Sequence, residues 1–317
     1  MFSKSACFAD EHSYQRCQVN DRISTREQCG GSLDAHVEEF FTNGYTVVPG
    51  VFTEDEVATF LAANERIVQK VRSAPERFVG SRYTARQDGQ VDTWGVNNIF
   101  MPDLYEPELA KIFGHHGFME PVHAILGPQL RFWSAHSLWS PHHVDYELNW
   151  HKDNHEHEHY DPDGRPRHVQ FNVCLSEDNS FHAIPGSHRR PLTDRERAEI
   201  EAFGTGRMPG EVVVDCRPGD VIYMNYHMVH RGSCRAGVFR RTLHMNVQSQ
   251  EEPTGGQTSL TWMRDPEYLD GVEPALAALM RNAIAWDDSH PISRAEARRR
   301  MRVRQDVRHH VAGPSGQ

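Results

Sequence analysis

The sequence contains no apolar run approaching the ~20 residues that a helical membrane span needs, which excludes a chain threaded through a bilayer as a helix. It contains no CxxC pair. Six cysteines spread over 317 residues form neither a zinc spacing nor a disulfide framework. Cys174 and Cys216, in apparent strands, read as small buried hydrophobes, and Cys7, Cys17 and Cys29 carry no assignable role. Positive charge is not in excess either: 44 Asp and Glu stand against 34 Lys and Arg, a formal charge of −10, which argues against nucleic acid as the main partner. Met1 to Ala9 lacks a basic segment followed by an apolar core, so no secretory signal is read there and a cytoplasmic location is expected. No internal repeat is found.

What is present suits a globular enzyme-sized chain, with 38% hydrophobic and 25% charged residues. The expectation is a polar leader over 1–32, then a single domain over 33–317 with a helical extension from about 273. Asp34 to Asn43 reads as a short helix stopped by Gly44. Tyr45 to Val48 is β-rich, and Thr53-Glu54-Asp55-Glu56 is a capping box opening a helix to about Val71. Glu106 to Leu126 reads helical, and Gln129 to Ser140 reads as a strand.

From there the chain is dominated by short strands. His168 to Leu175 alternates, with His168, Gln170, Asn172 and Cys174 on one face and Val169, Phe171, Val173 and Leu175 on the other. Arg240 to Gln248 alternates again, with Arg240, Thr242, His244, Asn246 and Gln248 opposite an otherwise apolar set. Val212 to Val214 and Val221 to Tyr226 are strands joined through Pro218-Gly219-Asp220. Many short strands with Pro/Gly turns after an α-rich third predict a mainly β fold with flanking helices, a double-sheet jelly roll. In such a sandwich the polar faces can line a site. The basic end (Arg298, Arg299, Arg300, Arg302, Arg304) reads as a solvated helix face.

The candidate chemistry centres on Trp150-His151-Lys152-Asp153-Asn154-His155. His151 and Asp153 leave one face of an extended strand, so an imidazole and a carboxylate can reach one metal. A second imidazole from His230 completes a two-histidine, one-carboxylate set, which leaves open positions on ferrous iron. With 21 histidines in the chain, alternatives must be kept open. His143/Asp145 is a second His-x-Asp pair, and His227 competes with His230. The loop after Asp153 carries alternating His155, His157 and His159, which either bind a second metal or belong to a polar lip over the pocket.

These motifs occur in a telling order: Trp150 to His155, then Pro185-Gly186-Ser187-His188-Arg189, Pro218-Gly219-Asp220, His230-Arg231-Gly232-Ser233 and Arg240. In order and spacing the chain, over roughly Leu33 to Gln248, resembles the phytanoyl-CoA dioxygenase family of iron(II)/2-oxoglutarate oxygenases. It departs from that pattern at Asn179-Ser180, where Asn-Gly is usual, and at Arg231, interposed before the Gly-Ser turn.

The resemblance implies a double-stranded β-helix, Fe(2+) held by His151, Asp153 and His230, and 2-oxoglutarate and O2 as co-substrates. It also implies an arginine about ten residues after the distal histidine, binding the remote carboxylate of 2-oxoglutarate. Arg240 and Arg241 are the candidates. A guanidinium holds a carboxylate through paired hydrogen bonds, and the alternation puts Arg240 with the polar set. Asn172 and Thr242 stand on the polar faces as further co-substrate contacts. Asp153 argues against halogenase chemistry, which needs a small residue there. Two rivals stay open: a non-catalytic jelly-roll metal- or ligand-binding protein, and a cupin-type dioxygenase independent of 2-oxoglutarate. The expected partner is a small polar molecule, such as a natural product. His155, Glu156 and Glu158 on the acidic loop are assigned to substrate binding, which would favour a cationic substrate.

Overall fold

A computed structural model describes residues 31–153, 158–252, 260–293 and 295. The expected leader, apart from 31 and 32, and the arginine-rich end lie outside the described residues. Ser32 caps helix α1 (Leu33–Asn43), accepting from Ala35 N, and Gly44 ends it in the left-handed region at φ 85°. A side chain is excluded there twice over, because a Cβ would stand 2.6 Å from His188 Nδ1. Strand β1 (Tyr45–Val48) follows. Thr53 and Glu56 then form the expected capping box on α2 (Glu54–Ser73).

Strands β2 (Arg82–Gln87) and β3 (Gln90–Asn97) form a hairpin. The helical reading of Glu106 to Leu126 is corrected to three pieces. These are α3 (Pro107–Ala110), a 3₁₀ turn (Lys111–Gly114) and α4 (His116–Leu126). The break falls at Gly114-His115, where His115 adopts an extended backbone and caps the new helix by accepting from Phe118 N.

The remaining elements are β4 (Leu130–Trp139), β5 (Tyr146–Glu147), β6 (His168–Cys174), β7 (Asp178–Ala183), α5 (Asp194–Glu201), β8 (Val212–Cys216), β9 (Val221–Asn225), β10 (His230–Cys234), β11 (Arg241–Ser249), α6 (Pro266–Asp270) and α7 (Pro274–Ser289). They build two antiparallel sheets, ordered β1-β9-β6-β11-β4-β3-β2 and β5-β10-β7-β8. Together they form a double-stranded β-helix.

The apolar faces of the seven-stranded sheet point outward, onto helices. Val169, Phe171, Val173, Tyr223, Leu243, Met245 and Val247 pack with Phe60 and Ile67 of α2, Phe118 and Val122 of α4, and Met280 of α7. The Phe118 and Phe171 rings meet edge-on, with centroids 4.8 Å apart. Truncating a ring buried this way costs about 3–5 kcal/mol.

The opposite, polar faces of β6 and β11 turn into the sandwich. Thr242 pairs with Cys174, His244 with Asn172, Asn246 with Gln170 and Gln248 with His168. One end of the interior is closed by a small apolar cluster that includes Phe181, Val214, Ile222 and Met224. In that cluster Cys174 and Cys216 form a disulfide, with Cα atoms 6.4 Å apart. This corrects the reading of both as plain buried hydrophobes. Cys174 on β6 and Cys216 on β8 belong to different sheets, and only the stacking of those sheets brings them together.

Candidate active site

Trp150 anchors the first ligand segment. It is fully buried and its indole Nε1 donates to Gly206 O at 2.7 Å. The next residue, His151, is not on a long strand, as the two-residue spacing suggested. It makes one antiparallel bridge to His230, each N–H donating to the other's carbonyl at 3.0 Å, and the chain bends at Asp153. That single bridge places the distal histidine beside the proximal pair.

His151 Nε2 lies 3.5 Å from Asp153 Oδ1, and His230 Nε2 lies 3.4 Å from Asp153 Oδ2. Each imidazole is oriented by the backbone: His151 Nδ1 donates to Asn149 O at 2.7 Å, and His230 Nδ1 to Met228 O at 2.9 Å. With the Nδ1 proton committed, Nε2 is left as the free donor atom, the arrangement that metal-binding histidines use. Burial alone would raise the Asp153 carboxyl, but His230 and His151 hold it well below its usual range. Burial opposes charge on His151 as well, and Asp153 more than offsets it, so that histidine is raised. Two imidazole nitrogens and one carboxylate, converging in this way, fit a first-row divalent ion.

The polar wall beyond the cluster is built of hydrogen-bonded side-chain pairs. Gln170 Nε2 donates to Asp153 Oδ2. His244 Nδ1 stands 2.6 Å from Asn172 Oδ1, and His168 Nε2 stands 3.1 Å from Asn246 Oδ1. Burial depresses His136 and His168 to about 3 and His244 to about 4, so all three are neutral. Tyr83, Trp94 and Tyr146 stack in series, with centroids 4.9 and 4.2 Å apart, and the Tyr83 hydroxyl lies 2.6 Å from His136 Nδ1.

The two arginines separate cleanly. Arg240, 4% exposed, points its Nε to Asp178 Oδ2 at 2.8 Å and its Nη1 to the Tyr146 hydroxyl. Thr242 donates to the same Asp178 oxygen. Arg241 turns to the helix side, pairing with Glu65 of α2 and stacking over Phe239 at 4.5 Å. His143 and Asp145 do not join a cluster with a third ligand among the described residues. Instead, His143 N donates to the Asp92 carboxylate at 2.6 Å, and the Asp145 carboxylate accepts from Ala236 N at 2.6 Å. The interposed Arg231 is directed away, onto Glu211 at 3.2 Å and the Trp150 ring at 5.2 Å.

Of the loop residues assigned to substrate, His155 and Glu156 lie outside the described residues, and Glu158 is paired with Arg197. Asp178, Tyr146 and the Tyr83–Trp94 pair were not anticipated. Gln170 was legible as part of a polar strand face, but its bond to Asp153 was not.

The chain belongs to the phytanoyl-CoA dioxygenase family, whose model, Phytanoyl-CoA dioxygenase (PhyH), matches residues 40–242. The ectoine dioxygenase of Stutzerimonas stutzeri (strain A1501) is 30% identical over 160 residues, covering 48% of this chain and 49% of that protein. The chain thus spans about half the length of the curated relative it matches. Among solved structures, AviO1 from Streptomyces viridochromogenes Tue57 superposes with a TM-score of 0.52 at 22% identity, over 70% of this chain and 97% of that one. EctD from S. alaskensis with 2-oxoglutarate and 5-hydroxyectoine gives 0.51 at 18% identity, over 68% and 75%. At these identities the likeness speaks for the fold.

Proposed function

We propose that the chain is an Fe(II)/2-oxoglutarate-dependent oxygenase acting on a small polar molecule, with His151, Asp153 and His230 as the iron ligands. The observation that carries this reading is the convergence of two oriented Nε2 atoms on the Asp153 carboxylate, at 3.5 and 3.4 Å. Bound there, iron with 2-oxoglutarate and dioxygen supplies an oxidant able to remove hydrogen from a substrate carbon, with succinate and carbon dioxide as co-products.

The chain's own part is placement and exclusion of water. Arg240 receives the remote carboxylate of 2-oxoglutarate, and Asp178 and Tyr146 fix its guanidinium plane. Thr242 steadies Asp178, and Asn172 steadies His244, so both act one step behind the co-substrate. Gln170 donates to the Asp153 oxygen that faces His230. The neutral imidazoles of His136 and His244 and the stacked Tyr83, Trp94 and Tyr146 make a polar but uncharged wall, suited to a hydroxylated or heteroatom-rich substrate. The acidic lip, with His155, Glu156 and Glu158, favours a cationic group on it.

The test is oxygen-dependent succinate formation from 2-oxoglutarate with iron(II), screened against small polar metabolites for stimulation. A chain that binds a divalent metal yet never forms succinate above the Asp153→Ala background would be a binding protein, and the proposal would fall.

A further inference from the structure

A third His-x-Asp pair, His159-Tyr160-Asp161, follows His151 and Asp153 along the same loop, and His227 lies three residues before His230. His159 Nε2 stands 3.5 Å from Asp161 Oδ1, and His227 Nδ1 stands 2.7 Å from Asp161 Oδ2. One ligand atom from each residue falls within 4.8 Å of the others. The two imidazole rings are 4.3 Å apart, against 4.4 Å for His151 and His230.

We propose that His159, Asp161 and His227 form a second metal site, for zinc, that ties the lip after Asp153 to the turn carrying His230.

Zinc accepts imidazole nitrogen and carboxylate oxygen at about 2.0–2.2 Å in tetrahedral array. It also stands above ferrous iron in intrinsic affinity for such a mixed set. Asp161 and His227 are buried, whereas the His159 side chain is 46% exposed. The fourth position therefore opens toward solvent and takes water. Supporting contacts orient the buried ligands. Asn225 Nδ2 reaches Asp161 Oδ2 at 3.3 Å, and Asn225 Oδ1 accepts from His227 N at 2.8 Å. Asp161 N donates to His188 O at 2.6 Å, and Lys152 Nζ holds His159 O at 2.8 Å. No strand runs through 158–161, so individual contacts hold the segment. The site does not depend on the first cluster holding iron.

The test uses the full chain, stripped with a chelator, loaded with Zn²⁺, desalted and assayed for bound metal by mass spectrometry. Wild type should retain two equivalents. His159→Ala and Asp161→Asn should each retain one, Asp153→Ala should retain one, and Asp153→Ala/His159→Ala should retain none. Because Asp161 is buried and its variant can misfold, the exposed His159→Ala decides, with circular dichroism as the check on folding. A second equivalent that survives His159→Ala overturns the proposal, as does a single equivalent that Asp153→Ala alone removes. A single equivalent lost in His159→Ala and kept in Asp153→Ala would support this site and remove the metal from the first cluster.

Discussion

The two His-Asp-His clusters share residue types, spacing along the loop and a common turn, yet they differ in how their imidazoles are held. In the first, both Nδ1 atoms are engaged by backbone carbonyls, and the carboxylate is reached by both Nε2 atoms and by Gln170. In the second, His227 presents Nδ1 directly to Asp161, and His159 is about half exposed. The first is enclosed by a sheet face, with an arginine on the same wall. The second sits at the rim beside Lys152. Ligand type alone does not assign catalysis. Orientation, enclosure and a nearby place for the co-substrate do.

The sharpest way to break this contrast is Asp153→Ala. Succinate formation should fall at least about a thousandfold, some 4 kcal/mol of barrier, measured with saturating iron and 2-oxoglutarate. Retention of turnover would move the chemistry away from the enclosed cluster.

A smaller effect is expected from Arg240, the buried arginine assigned to the co-substrate. Arg240→Ala should raise the KM for 2-oxoglutarate about 10- to 100-fold, the range of one or two charge-assisted hydrogen bonds. Arg241→Ala should act mainly on stability, since its partner is Glu65 on α2. A co-substrate titration in which Arg241→Ala is the worse variant would reverse the assignment.

Enclosure also has a pH signature. His136, His168 and His244 are neutral when folded, with values near 3, 3 and 4, and titrate near 6.5 when unfolded. The unfolded chain therefore binds more protons below about pH 6.5, and stability, complete above that value, is lost as pH falls toward 4. Each histidine contributes up to about 1.4 kcal/mol per pH unit in that window. The raised His151 acts with the opposite sign and offsets a part. Thermal midpoints of the metal-free chain should drop by at least about 5 °C between pH 7 and pH 5. Equal midpoints would mean the wall is wetter than the structure describes.

The smallest effect belongs to the rim. Glu158 is exposed and already paired with Arg197, so Glu158→Gln should raise a cationic substrate's KM by no more than about fivefold. The rise should shrink with added salt. An unchanged KM at low salt would remove Glu158 from substrate recognition.

The convergence of His151, Asp153 and His230 was readable because its signals are local or ordered: a His-x-Asp pair and a distal His before a turn; the strand alternation likewise separates Arg240 from Arg241. The fold was readable from the same alternation. The residues that hold Arg240 were not, because Asp178 and Tyr146 lie 62 and 94 positions away, on the sheet opposite β11, and meet it only where the two sheets stack. Cys174 and Cys216 were missed for the same reason, being 42 residues apart on different sheets. A non-reduced digest should yield those two cysteines in one linked peptide. The turn motifs read as family markers serve as braces: Ser187 Oγ accepts from Val229 N at 2.9 Å, and Asp220 Oδ1 accepts from Gly50 N at 2.9 Å.

The seven-stranded sheet carries its greasy side outward, against helices, and its hydrophilic side inward. Folding strength and chemical selectivity are thereby assigned to opposite surfaces of the same strands. A substitution at an inward position such as Asn172 or Asn246 alters the lumen without opening a void in the packed layer between sheet and helices. Lineages can therefore exchange lumen residues, and with them substrates, while the scaffold's resistance to unfolding stays where the outward-facing Phe171, Leu243 and Met245 keep it.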